Sequence, residues 1–326
     1  MMKAFEYASP TTREQAVKAL SSADNAVILA GGTDLLSLMK DRIITPGRVV
    51  NIKNIQQLKG IRSEGGGLRI GSLVTLDELL NDDNVKKNYP ALIQAADGVR
   101  SPQIQMMGTV GGDLCQRPRC WYYRSGYGLL AQHNGRSMVE EGDNRYHAIL
   151  GNQGPAYFVN PSSLAPALIA LEARLKIFGP KGEREVALED FYRIPSRNDE
   201  REYDLASDEI LTEIIIPASG ARNATYEVRQ KEALDWPLAA AGVTLRMNGN
   251  QVEDARVVLG HVAPTPWIST EAREVLVGNQ VSEELADRAG RQAVANARAL
   301  SRNEYKIRLA HVAVKRAVLR ATGREI

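Results

Sequence analysis

The sequence predicts an α/β fold followed by a smaller α+β unit, and three observations predict it. Through the first two thirds of the chain, short strand-like apolar runs alternate with amphipathic stretches. Two glycine pairs, Gly31-Gly32 and Gly111-Gly112, punctuate that region. After Pro217-Ala218-Ser219-Gly220 the texture changes to three strand-like runs and then three amphipathic helices. The chain has 326 residues, and at roughly 100–200 residues per domain two or three domains are expected. The boundaries read as 1–218 and 222–326, the first unit dividing into about 1–57 and 58–218.

Thr11 with Glu14 opens a short helix as a capping box, the hydroxyl satisfying one orphan amide while the carboxylate reaches back to another. Ala16, Val17 and Leu20 supply its buried stripe. Ala26 to Ala30 is strand-like and stops at Gly31-Gly32, and Asp34 to Lys40 reads as a helix, so the unit is strand, glycine turn, helix. A strand at Leu68 to Gly71 feeds a second cap at Thr75 and Glu78, and helical spacing resumes from Tyr89 to Ala96. Residues 101–112 are glycine-punctuated with little periodicity. From about 116 to 153 periodicity fades into a long polar loop, which in a compact protein is functional or vestigial. Regular structure is expected again at Ala156 to Val159, in a helix from Ser163 to Ala173 and in strands near 175–178 and 211–216. In the tail, 224–229, 238–247 and 251–262 read as a three-stranded antiparallel sheet, its last two strands joined by the hairpin signal Asn248-Gly249. Helices follow at about 270–277, 282–300 and 302–321.

Apolar residues make up 44% and charged residues 25% of the chain, the proportions of an ordinary globular protein rather than a disordered one. A net charge of +2 with interleaved signs offers no electrostatic footprint for nucleic acid, and Arg117-Pro118-Arg119 reads as a solvated loop. No signal-like h-region and no apolar run of about 18 residues is present, so no membrane insertion and a cytoplasmic address are expected. Cys115 and Cys120 lie too close together to staple distant segments. The four histidines show no metal-ligand spacing, and they, Trp236 and Trp267 read as structural.

The two glycine turns carry the chemistry. Glycines in Ala30-Gly31-Gly32-Thr33-Asp34-Leu35 can take positive φ, point successive amides into one concavity and let an anion approach bare backbone. A Gly-Gly pair after a strand is by itself more often a tight turn. Neither a phosphate-binding Gly-x-x-x-x-Gly-Lys-Ser/Thr loop nor a Rossmann Gly-x-Gly-x-x-Gly fingerprint occurs. Two turns, each with a threonine nearby, would suit a pyrophosphate gripped from two sides.

Ile28 to Leu35, then Ile70 to Thr75, then Gly108-Thr109-Val110-Gly111-Gly112 resemble, in order, the FAD-binding signatures of the flavoprotein subunits of molybdenum hydroxylases. That family includes xanthine dehydrogenase, carbon monoxide dehydrogenase and bacterial aldehyde oxidoreductases. The resemblance continues through Pro161 to Leu168, Asp208 to Glu213, Asp235-Trp236-Pro237 and Val258 to Pro266, and so covers nearly the whole chain. It implies a vanillyl-alcohol-oxidase-like (PCMH-type) FAD-binding domain, followed by a C-terminal domain of the CO-dehydrogenase flavoprotein type. It also implies noncovalent FAD and two partners, a molybdopterin-binding large subunit and a 2Fe–2S small subunit. Electrons would pass from the partner's iron–sulfur centres through FAD to an acceptor, with no side chain acting as acid or base. The cofactor-binding positions it implies are Leu29, Ala30, Gly31, Gly32, Thr33, Asp34, Leu35, Thr109, Gly111, Gly112, Asp113, Ser163, Leu211 (beside the flavin) and Lys231.

Three positions depart from the pattern the resemblance leads one to expect: Asp113 replaces an asparagine, Ser163 an aspartate, and Glu227 a lysine. Arg117 to Arg124 resembles the subgroup whose flavin subunit carries an extra iron–sulfur loop. Such a cluster needs about four thiolates, and the chain has two cysteines, so no cluster and no metal site is expected. Loop 116–153 should then be mobile, or held by packing of Trp121 and Tyr122 on the α/β domain. A stand-alone flavoenzyme and a flavin-free remnant with a binding role stay open as alternatives.

Overall fold

The computed structural model describes residues 2–231 and 234–324. Three parallel strands form the first sheet, with Arg48–Asn51 in the centre between Glu6–Ala8 and Ala26–Leu29. The predicted first helix is Arg13–Ser21, capped by the Thr12 side chain rather than by Thr11, and it buries Ala16, Val17 and Leu20. The Thr75–Glu78 capping box is present as read.

The second sheet is five-stranded and antiparallel, in the order Ile61–Glu64, Gly67–Gly71, Ile210–Ile216, Arg174–Gly179, Gly182–Ala187. Its inner face packs on helices Leu76–Asn81, Pro90–Asp97 and Ala165–Ala170 around Leu92, Leu168, Leu175 and Ile214. The helix expected over 163–173 is only Ala165–Ala170, with Pro166 in its first turn. Residues 156–159, expected to be regular, form no strand or helix, whereas the glycine stretch 101–112 contains helix Pro102–Met107 and the start of helix Val110–Leu114.

The C-terminal sheet has four strands rather than three: Arg222–Val228, Ala239–Asn248, Gln251–Gly260 and a two-residue edge, Trp267–Ile268. Helices Thr270–Leu276, Glu283–Ala293 and Tyr305–Ala321 complete this unit, the middle one ending earlier than its periodicity suggests. Helix Ala165–Ala170 lies against this sheet at two glycines. A Cβ on Gly242 would sit 2.6 Å from the Pro166 backbone, and one on Gly260 would sit 2.6 Å from the Pro166 ring. Bare backbone is therefore what lets the two units approach so closely.

Candidate functional site

Strand Ala26–Leu29 ends at the first glycine turn, which runs into helix Leu35–Lys40. Among the described residues, the amides of Gly31, Gly32, Thr33, Asp34 and Leu35 donate to no partner in the chain. Five consecutive donors without acceptors form the open side of a nest. The second turn differs. The amides of Val110 and Gly111 donate to Val74 O (2.8 Å) and Ser72 O (2.9 Å), Gly112 N to Thr109 Oγ1 (3.0 Å), and Asp113 N to Thr109 O (2.8 Å). The expected pair of facing nests is thus one open nest and one wall whose amides are already used.

The glycines are required for different reasons. Of the four, only Gly32 has positive φ (+76°). A Cβ on Gly31 would run into the carbonyl oxygen of Met107, so the two turns touch through bare backbone. A Cβ on Gly111 would meet Ser72 at 2.8 Å.

Two cavities meet at these turns, sharing Thr33, Asp34, Thr109, Gly112 and Gln116 as walls. The first, about 190 Å³, runs under the N-terminal sheet between Ile28, Ile52, Leu73 and Leu211. The second, about 310 Å³, opens toward the C-terminal unit and is lined by Asp113, Ser163, Arg229 and Trp236. Every residue implied by the resemblance lines one of them except Leu29 and Lys231. The Leu29 side chain packs beneath Gly32, and Lys231 is exposed. Leu211 belongs to the first cavity and the Asp113–Ser163 pair to the second, so they meet opposite ends of any ligand that threads both.

The Arg117-Pro118-Arg119 segment is not a solvated loop. Arg117 N and Arg124 Nη2 both donate to the Asp34 carboxylate at 2.8 Å, and Arg119 pairs with it at 3.2 Å. Arg117 also pairs with the buried Glu202, which holds the guanidinium well above its usual range against the opposing effect of burial. With its carboxylate so occupied, Asp34 offers a ligand its backbone amide. The Arg119 guanidinium lies 4.5 Å from the Trp236 ring and bridges the two units at the second cavity. Trp236 is accordingly half-exposed, not a buried packing anchor.

Asp113 faces the turn before helix Ala165–Ala170. One oxygen accepts from the Ser162 hydroxyl and Leu164 N (3.0 Å), the other from Gln116 Nε2 (2.9 Å) and Ser163 N (3.3 Å). Burial raises its pKa, and these donors oppose the rise. Glu227 is buried beneath Gly98 and pairs with Arg229. Burial pushes its carboxyl up to about 7 against the pull of Arg229. Arg100, Arg119 and Arg229 line the second cavity, and sequence reading singled out none of them for that role. Their long-range placement has no local signal.

The residues of loop 116–153 do not fit an iron–sulfur cluster. Among the described residues, no group of three or more His, Cys, Asp or Glu gathers where a metal could bind. Burial raises the Cys115 thiol to about 12 and Cys120 to about 11, which disfavours the thiolate a cluster needs. Cys120 Sγ instead lies 3.1 Å from His147 Nε2, between clusters built on Ala156 and on Ala131 and Val139.

Packing holds this loop against both units: Tyr123, Leu129 and Leu130 cluster with Leu38 of the α/β domain, while residues 144–148 are held by the C-terminal unit. Trp121 sits edge-on to Tyr146 and His147. Asn144 Nδ2 donates to Ser301 Oγ (3.0 Å), and Asn303 Nδ2 to the carbonyls of His147 and Ala148. The buried Lys306 ammonium donates to the carbonyl oxygens of Tyr146, His147 and His261 (3.2, 3.1 and 2.8 Å).

Two family descriptions match the chain, "FAD binding domain in molybdopterin dehydrogenase" over residues 3–219 and "CO dehydrogenase flavoprotein C-terminal domain" over residues 224–321. The aldehyde oxidoreductase FAD-binding subunit PaoB of Escherichia coli is 30% identical over 270 residues, 82% of this chain and 84% of that one. The carbon monoxide dehydrogenase medium chain of Hydrogenophaga pseudoflava is 29% identical over 326 residues, 98% of each. Among solved structures, a carbon monoxide dehydrogenase from the same organism that lacks the Mo-pyranopterin moiety superposes with a TM-score of 0.77 at 28% identity. That match covers 100% of both chains.

Proposed function

Because this chain belongs to the family of FAD-binding subunits of molybdenum hydroxylases, we propose that it is the electron-transfer subunit of a molybdenum-containing oxidoreductase, carrying its FAD noncovalently. The observation that carries this reading is the run of five unpartnered amides, Gly31 to Leu35, at the junction of two cavities. These donors suit the pyrophosphate of a dinucleotide, whose oxygens accept at the point where its two halves diverge.

The first cavity, with its apolar walls, suits the adenosine half, so in this reading Leu211, which the resemblance implies beside the flavin, lies at the adenosine end instead. The second suits the isoalloxazine, because it reaches the domain boundary where electrons must enter and leave. FAD supplies the redox chemistry, taking up electrons singly or in pairs. The chain's own residues bind and orient it. The Asp34 knot fixes the nest, Asp113 fixes the turn at Ser162–Leu164, and Arg119 over Trp236 walls the ring end from bulk water.

A molybdopterin-binding large subunit and a 2Fe–2S small subunit are the proposed partners. Curated relatives named as medium chains support them. The chain purified alone should be yellow, and acid precipitation should release the colour to the supernatant. Colour kept in the pellet would overturn noncovalent attachment. Flavin bleaching should require the partner chains, and bleaching of the isolated chain by a substrate would favour a stand-alone flavoenzyme instead.

A further inference from the structure

The cavity that would hold the flavin ring keeps a carboxylate, but on a neighbouring helix rather than at the position the resemblance leads one to expect. Position 163 is Ser163, and the carboxylate stands at Asp113, in helix Val110–Leu114, which carries the second glycine pair. Both Asp113 oxygens are engaged by the 162–164 turn, through the Ser162 hydroxyl and the amides of Ser163 and Leu164, and Gln116 Nε2 fills the remaining acceptor site. The Ser163 hydroxyl lines the second cavity and, among the described residues, has no hydrogen-bond partner in the chain.

We propose that Asp113 is the positioning residue of the ring end: hydrogen-bonded to the 162–164 turn, it supplies beside Ser163 the anionic site that position 163 lacks, and it aims the Ser163 hydroxyl at the flavin. This rests on the proposed reading of the second cavity as the ring site. An asparagine at 113 has one acceptor oxygen where two sets of donors converge, so its amide group would oppose the donors on one side. Its side chain would also lack the charge that strengthens hydrogen bonds from backbone amides. The carboxylate and the turn therefore form one unit, and a change at one position calls for a change at the other. The burial that raises the Asp113 pKa makes the local field sensitive to this group.

The test is a reciprocal swap read in apoprotein reconstituted with FAD. Asp113→Asn should weaken FAD binding about tenfold, the effect of losing charge-assisted hydrogen bonds. It should also raise the flavin midpoint potential, because a negative charge near the ring is removed. Ser163→Asp alone, which sets two carboxylates side by side, should also weaken binding. The double variant Asp113→Asn/Ser163→Asp should return both affinity and potential to within about twofold and close to wild type. A double variant no better than either single one, or an Asp113→Asn protein with wild-type affinity and potential, overturns the proposal. Should Asp113→Asn fail to fold, Ser163→Ala carries the test, since it removes one hydroxyl without a partner in the chain. An unaltered melting temperature with altered affinity and potential supports the assignment, and unaltered flavin properties overturn it. A wild-type protein that takes up no FAD would instead remove the proposed function itself.

Discussion

Gly31 tolerates no side chain at all, because its missing Cβ is where the Met107 carbonyl lies. Gly31→Ala should therefore push the two turns apart and abolish FAD retention. Gly32→Val should do the same through its positive φ and its bulk against Leu29 and Leu36. The ratio of flavin to protein absorbance in the purified variants measures this, and wild-type occupancy would remove the nest assignment. Two buried histidines make a second residue-scale prediction. Burial first, and then the charge of Lys306, lowers His147 to about 4 and His261 to about 3, from an ordinary 6.5. Below 6.5 the unfolded chain takes up these protons before the folded one does, so stability falls as pH drops from 6.5 through about 4 for His147 and about 3 for His261. The loss is on the order of a few kcal/mol. His261 has a φ of 60°, which asparagine tolerates. His261→Asn should accordingly lose less melting temperature than wild type between pH 7 and pH 5, and equal losses would refute the linkage.

Elements with strong local signals were legible in the sequence: the strand before Gly31 and the Thr75–Glu78 cap stand where they were read, and the hairpin read at Asn248-Gly249 turns one residue later, at Gly249-Asn250, because Asn248 still pairs with Gln251. The edge strand Trp267–Ile268 was missed because two residues carry no alternation. The helix after Ser163 is shorter than its apolar run because residues 162–164 are bound to Asp113, which no local pattern reveals. Loop 116–153 failed to read as ordered because its anchors are distant in sequence on both sides, at Asp34 and Leu38 and at Ser301, Asn303 and Lys306. Burial lowers Lys306 to about 7, while three carbonyls take its three ammonium protons. Lys306→Met strands those carbonyls and should cost about 3 kcal/mol. Hydrogen exchange should then show faster opening of 143–149, and unchanged protection would mean that the aromatic cluster alone holds the loop. Anaerobically purified protein should contain no stoichiometric iron or acid-labile sulfide. Near-stoichiometric iron would show that Cys115, Cys120 and the loop histidines suffice as ligands.

At the scale of the whole molecule, the proposed ring site is assembled from both units, with Asp113 and Arg119 contributed by one and Arg229 and Trp236 by the other. Its geometry depends on the seam where Pro166 meets Gly242 and Gly260. Gly242→Ala inserts a methyl group 2.6 Å from the Pro166 backbone, a contact that only movement of one unit relative to the other can relieve. It should destabilise the protein by about 1–3 kcal/mol. Flavin occupancy should fall although no residue of the cavity has changed. A variant with wild-type melting temperature and full occupancy would mean that the seam is slack. The same two glycines limit modularity. The units look exchangeable on paper, since a linker at 217–221 divides them, yet each has been shaped to the other's bare backbone. A chimaera that takes its C-terminal half from a relative inherits a working joint only if that half brings glycine at both positions. Recombination at the linker is therefore filtered by two residues that lie 21 and 39 positions beyond its last residue, Ala221.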